Sequence, residues 1–168
     1  MGYVHDTHMS QYIPPTAFHP VTGTFTWAAG QVAGTICMHR AAANETSVIT
    51  IPVMLPSNAS AGKGAMLKSI EVDYQILVAE PTSITWTLNK VTRGANEAVA
   101  VVAAVTKTNT VADAAAKTVD EHKQVITITT PAYIDNDEYY LLQCSMAAGA
   151  GGNTTDFLAA VANWTMRV

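Results

Sequence analysis

Apolar and polar residues alternate with a period of two along much of the chain. The run Ile70, Glu71, Val72, Asp73, Tyr74, Gln75, Ile76 does so without a break. Successive side chains of a β-strand point to opposite faces, so this run predicts a strand with one buried face. Residues 84–89 repeat the pattern, with Ile84, Trp86 and Leu88 facing in and Thr85, Thr87 and Asn89 facing out. Threonine suits the outer positions because its β-branch fits a pleated surface. Residues 47–55 place Ile49, Ile51, Val53 and Leu55 on one face and Pro52 on the other, which predicts an edge strand or a bulge. Residues 124–130 bury either Ile126 and Ile128 or the Val125 face. Residues 139–146 and 157–168 predict the last two strands, and residues 24–27 and 35–39 two shorter ones.

Turn-forming residues fall between these runs. Residues 56–64 (PSNASAGKG) predict a loop, residues 80–82 and 92–96 tight turns, and the Gly-rich residues 149–153 a connection between the last two strands. Many short strands so separated predict a sandwich or barrel. Residues 98–122 are rich in Ala and Val. They predict a strand over 98–105, a strand or loop over 107–111, and a short helical turn near 113–117. Without a Gly-rich linker or an internal repeat, these elements form one domain.

The first twenty residues lack any clean period. Tyr3, Val4, Met9, Tyr12, Ile13 and Phe18 are apolar or aromatic but form no core of their own. Such a segment gains stability only by lying across this domain or a neighbour. The expectation is an extended N-terminal arm over residues 1–20, with those six residues as an oligomer interface, and a β-sandwich over 21–168. His5, Asp6 and His8 raise the alternative of a metal site. A helix would bring the two histidines to one face, but Pro14 and Pro15 favour extended backbone, and a structural site needs further ligands close by. No metal is expected.

Composition strengthens the case for association. Charged residues make up 13% of the chain, against roughly 25% in an ordinary soluble domain. A surface so poor in charge exposes neutral or apolar area, which marks interfaces, and a homo-oligomer is expected. The net charge of −4 and nine scattered Lys and Arg residues argue against a nucleic-acid surface. Residues 1–10 lack the basic start and apolar block of a secretory signal, and no apolar run is long enough to cross a bilayer as a helix. A protein kept inside a cell, or released by lysis, is the expectation. Cys37 and Cys144 lie far apart in strand-like runs and read as small hydrophobic residues.

Catalytic signals are absent from the sequence. It has no Gly-x-Ser-x-Gly elbow, and Gly62-Lys63-Gly64 lacks the rest of a phosphate loop. His39 and His122 stand apart from other histidines. Asp135, Asp137 and Glu138 offer oxygen ligands for Ca²⁺, but a solvated turn accounts for them. Neither an enzyme nor a cofactor is expected. Trp27, Trp86 and Trp164 offer a sugar-stacking platform; Trp86 and Trp164 fall at inward positions and read as core, which leaves Trp27 open. A carbohydrate-binding β-sandwich module is the alternative function.

The C-terminal third carries a resemblance. An Asp-rich turn at 135–137 leads into EYYLL (138–142), then a Gly-rich hairpin, then a final strand ending NWTMRV (163–168). This resembles the closing strands of jelly-roll proteins of phage and virus particles, of the capsid-decoration and fibre-head type. It is similar in layout to trimeric C1q-type heads. The resemblance implies a jelly-roll-like antiparallel sandwich and a non-enzymatic virion subunit. It also implies a homotrimer that contacts other particle subunits; the charge and hydropathy above lead to the expectation of no direct contact with nucleic acid or membrane.

Overall fold

The computed structural model describes residues 5–29, 35–56, 64–94, 100–111, 114–149 and 152–167. The strands in chain order are β1 (Asp6–Ile13), β2 (His19–Thr22), β3 (Phe25–Ala29), β4 (Ile36–Ala43), β5 (Ser47–Val53) and β6 (Ala65–Ile76). They continue with β7 (Ser83–Thr92), β8 (Val101–Ala104), β9 (Lys107–Asn109), β10 (Glu121–Ile128), β11 (Glu138–Ala147) and β12 (Asn153–Arg167). One 3₁₀ turn, Pro15–Ala17, lies between β1 and β2. Residues 114–117 form a turn, where the sequence predicts a short helical turn; residue 113 lies outside the described residues.

Two antiparallel sheets face each other. One has seven strands in the order β3-β4-β12-β6-β10-β9, with β1 also on β12; the other has five in the order β2-β5-β11-β7-β8. The central set β4-β12-β6-β10 opposite β5-β11-β7-β8 is the strand order of a jelly roll, in which the long strands pass back and forth between the layers. The fold is therefore a jelly-roll-like antiparallel β-sandwich.

The core is the set of inward positions that the period of two specifies. On β6 these are Leu67, Ile70, Val72, Tyr74 and Ile76; on β7, Ile84, Trp86 and Leu88; on β11, Tyr140, Leu142, Cys144 and Met146. The open choice on β10 resolves towards Gln124, Ile126 and Ile128. Trp86 and Trp164 are buried, whereas Trp27 is 53% exposed. Pro52 is tolerated because β2 pairs with β5 only as far as Thr50, so the missing N–H of Pro52 leaves no ladder bond unmade.

Two bulges adjust the parity. On β6, Lys68 and Ser69 both point away from the core, between buried Leu67 and Ile70. On β12 the register slips between Phe157 and Ala159, which places Leu158 and Ala159 outward together. A bulge gives one strand an extra residue and bends it.

The N-terminal segment lies across its own domain, one of the two supports the sequence allows. β1 pairs with β12 from Asp6↔Arg167 to Ile13↔Ala160. The chain then crosses at the Pro15–Ala17 turn to the other sheet, where β2 pairs with β5. Ile13 and Phe18 belong to the domain's own hydrophobic core, so these two interface candidates are already covered within the chain. The physical reason is that the chain changes layer here, and the apolar side chains on either side of the turn, Ile13 and Phe18, project into the core between the sheets. Residues 1–4, with Tyr3 and Val4, lie outside the described residues.

Arg40 is fully buried at one end of the core. Its Nη1 donates to the Asn153 carbonyl at 2.8 Å and its Nη2 to the Glu45 carbonyl at 2.7 Å. Burial pulls its pKa down and the nearby Glu45 carboxylate pushes it back up.

Candidate functional site on the outer face of the seven-stranded sheet

Directly paired residues of antiparallel strands share a face, so the register places outward side chains in rows across the sheet. One row runs Ser10, Asn163, Ser69, Thr127 and Thr108. The next runs Tyr12, Val161, Glu71 and Val125. A third holds Ala159, Asp73 and Lys123, and a fourth Thr26, His39, Asp156, Gln75 and Glu121. Neighbouring rows are roughly 7 Å apart, two residues along each strand.

Hydrogen bonds knit these rows into a ladder. The Ser10 hydroxyl donates to Asn163 Oδ1 at 2.6 Å. Asn163 Nδ2 donates to Glu71 Oε1 at 2.9 Å and reaches Ser69 Oγ at 3.4 Å. Lys123 Nζ meets the other Glu71 oxygen at 3.0 Å. The Lys123 ammonium, with a smaller contribution from Asn163, holds the Glu71 carboxyl below its usual range, although partial burial opposes this. The same contact raises the Lys123 pKa. Four side chains from β1, β12, β6 and β10 are thereby fixed in position.

Beside the ladder lies an open trough of about 460 Å³, lined by Asp73, Glu121, His122, Lys123, Leu158 and Ala159, with Tyr74 beneath. The β12 bulge forms its floor, because the small Ala159 and the displaced Leu158 leave a depression between taller rows. Behind the trough, on the inner side of the same two strands, the paired His122 and Tyr74 stack with ring centroids 5.0 Å apart, and His122 Nε2 lies 2.7 Å from the Thr118 carbonyl. Tyr74 in turn donates its hydroxyl to the Ala116 carbonyl at 2.6 Å. On the far side His39 Nδ1 and Asp156 Oδ1 lie 2.6 Å apart. Tyr12, 62% exposed, stands one row from the trough.

Cys37 shares the outward side of β4 with His39 and is buried. Burial and the adjacent Asp156 carboxylate raise its pKa to about 11, so the thiol is neutral and a poor nucleophile. Cys37 and Cys144 are both free thiols. No group of three metal-ligating side chains occurs among the described residues. Glu138 is engaged within its own turn: it accepts the Asp135 N–H at 3.0 Å and the Lys90 ammonium at 2.6 Å.

Of the residues singled out from the sequence, Tyr12 and Trp27 are exposed, but they lie apart. Trp27 sits with Pro20, Phe25 and Met38 around a small groove of about 90 Å³ at the sandwich edge. Met9 pairs with Trp164 and is 40% exposed on the side opposite Tyr12. The ladder residues Ser10, Glu71, Lys123 and Asn163 were not singled out by the sequence. Glu71 was visible as an outward position of an alternating strand, but its partners depend on register.

The outer face of the five-stranded sheet is different in kind. Its rows hold His19, Thr50, Gln143 and Thr87; Val48, Ser145 and Thr85; Pro52, Leu141, Asn89 and Ala104; and Tyr139, Val91 and Val102. No Asp, Glu, Lys or Arg occurs among them. Its edge strand β8 is exposed along its length.

No family model matches the sequence, and no curated protein matches it. Among solved structures, the chain is similar at 7% identity and a TM-score of 0.45 to the CBM22-1–GH10 modules of Clostridium thermocellum xylanase 10B complexed with xylohexaose, covering 92% of this chain and 27% of that one. TmCBM61 in complex with β-1,4-galactotriose is similar at 8% identity and a TM-score of 0.40, over 92% of this chain and 86% of that one. The family 11 carbohydrate-binding module of Clostridium thermocellum, in complex with a mixed-linked tetrasaccharide, is similar at 7% identity and a TM-score of 0.35, over 94% and 87%. The chain spans about a quarter of the length of the first of these.

Proposed function

We propose that this chain is a non-catalytic carbohydrate-binding β-sandwich and that the outer face of its seven-stranded sheet is the binding surface. The observation that carries this reading is the ladder Ser10–Asn163–Glu71–Lys123 beside the trough and the exposed Tyr12. A sugar ring presents hydroxyls that both donate and accept, so it is held by fixed polar groups of both kinds. Its C–H face is held by an aromatic ring. Side chains already locked to one another lose little conformational freedom on binding. The trough crosses the strands, which suits an extended oligosaccharide. The test is affinity electrophoresis and calorimetry against a panel of soluble polysaccharides, comparing the parent chain with Tyr12→Ala. Retardation by at least one polysaccharide, lost or weakened about tenfold by the substitution, supports the reading; no retardation by any of them removes it.

A second reading is a homo-oligomeric structural subunit of a phage or virus particle, a trimer as the resemblance implies. It is favoured by the outer face of the five-stranded sheet, whose paired rows hold no charged side chain among the described residues, and by β8, whose Val101 and Val102 are exposed on the last strand of that sheet among those residues. Unpaired apolar edges invite pairing with another chain. Val102→Lys should then lower the oligomer mass measured by light scattering; a parent chain that is monomeric at micromolar concentration ends this reading.

A further inference from the structure

The sign of the charge around the trough narrows what the surface accepts. Resting on the carbohydrate-binding reading, we infer that the trough takes uncharged sugar chains and discriminates against chains carrying carboxylate or sulfate groups. Four carboxylates, those of Glu71, Asp73, Glu121 and Asp156, stand in or beside the trough in three consecutive rows, together with a single ammonium, that of Lys123. That ammonium is already bound to Glu71 at 3.0 Å. Asp156 lies on His39 at 2.6 Å. Asp73 and Glu121 line the trough directly and come within ion-pair distance of no cation among the described residues; Asp73, opposite Lys123, shares the field of that one ammonium with Glu71. Lys68, the next cation on this face, holds its Nζ against Met66 Sδ. It lies five residues from Asp73 along β6, roughly 16 Å away, which exceeds the screening length of about 8 Å at physiological salt.

An anionic ligand in the trough would therefore face an excess of negative charge at close range, with one ammonium among the described residues there, already shared between Glu71 and Asp73. Like-charge contacts reject wrong partners, and specific surfaces combine such repulsion with attractive contacts to the right one. A neutral sugar meets the same carboxylates as strong hydrogen-bond acceptors for its hydroxyls. One set of side chains thus provides both the affinity and the discrimination. The contribution is electrostatic and partly exposed, so it must weaken as salt is added.

The experiment uses the intact chain with neutral β-1,4- and β-1,3-linked hexasaccharides and their C6-oxidised, uronate-bearing counterparts. Calorimetry is run at about 20 mM and 500 mM salt. The neutral form of at least one pair should bind at least tenfold more tightly than its uronate form at low salt, and the gap should shrink at high salt. Asp73→Asn combined with Glu121→Gln should narrow the low-salt gap by raising uronate affinity; both positions lie at the surface, and circular dichroism checks that the fold is kept. Equal or tighter binding of the uronate form overturns the inference while leaving sugar binding intact. Binding of neither form removes the function and the inference together, and a gap unmoved by the double substitution overturns the assignment to Asp73 and Glu121.

Discussion

Asn163 on β12 and Glu71 on β6 meet across the strand pair, Nδ2 to Oε1, at 2.9 Å, while Asn163 Oδ1 accepts the Ser10 hydroxyl. One amide therefore bridges the outermost strand of the face to the charged pair at its centre. Asn163→Leu keeps the size of the side chain and removes both links. The expected result is a loss of about 1 kcal/mol in stability by urea titration, together with at least tenfold weaker sugar binding by calorimetry. A large stability loss with unchanged binding would show the bridge to be structural only.

Acid should weaken the fold through two carboxylates. Glu71 lies below its usual range because of the Lys123 contact, with burial opposing. For Glu138, burial pushes upward, but the Lys90 ammonium and the Asp135 N–H outweigh it and the net displacement is downward. A carboxyl whose folded value lies below its unfolded 4.5 contributes stability that is complete above 4.5 and is lost as pH falls through the folded value. Denaturation midpoints should fall as pH drops below about 4.5. Glu138→Gln should cost about 1–2 kcal/mol at pH 7 and flatten the decline, as read by guanidinium titration at pH 7 and pH 3.

Trp86 projects from β7 into the core, its ring 5.7 Å from that of Tyr74. Trp86→Ala removes the largest apolar group at this contact and should cost about 3–5 kcal/mol, measured by chemical denaturation. Thr87→Ala, on the opposite and exposed face of the same strand, should change stability by less than about 0.5 kcal/mol.

Both thiols should be silent in the folded protein. Cys144 is buried and its pKa is raised well above 9.0 by burial alone, while Cys37 sits at about 11. With an aromatic disulfide reagent at pH 8, native protein should release far less than one equivalent over minutes, and two equivalents after unfolding in guanidinium. Rapid release of one equivalent from the native state would place one thiol in solvent.

Gly23 adopts φ +95°, and a Cβ there would come within 2.7 Å of the Ser47 Cβ. Gly23→Ala is both strained in backbone and crowded, and should cost about 1–3 kcal/mol, seen as a lowered melting temperature.

These features differ in how far the sequence exposes them. The alternation at Ile70–Ile76 identified β6 because one side faces the core and the other solvent. The strand extends further, to Ala65, than the alternation reaches, because a bulge turns Lys68 and Ser69 outward together and breaks the period of two. The β1 segment shows no alternation because its residues up to Tyr12 are exposed on both faces, so the sequence predicts an extended arm and does not choose between its own domain and a neighbour as the support. The ladder was illegible for another reason. Ser10 and Asn163 are 153 positions apart, and only strand register brings them together. Trp27 stayed ambiguous in sequence because it lies on an edge strand, where inward parity does not guarantee cover.

The pairing of β1 with β12 also sets a timetable for folding. β1 must wait for β12, which follows it by more than a hundred residues, and contacts between segments so distant in sequence form slowly. Until the closing strand arrives, the apolar side chains around Ile13 have no lid. The nascent sandwich is then most exposed to misassembly, and a circular permutant that joins these two strands by a short hairpin should refold faster than the parent.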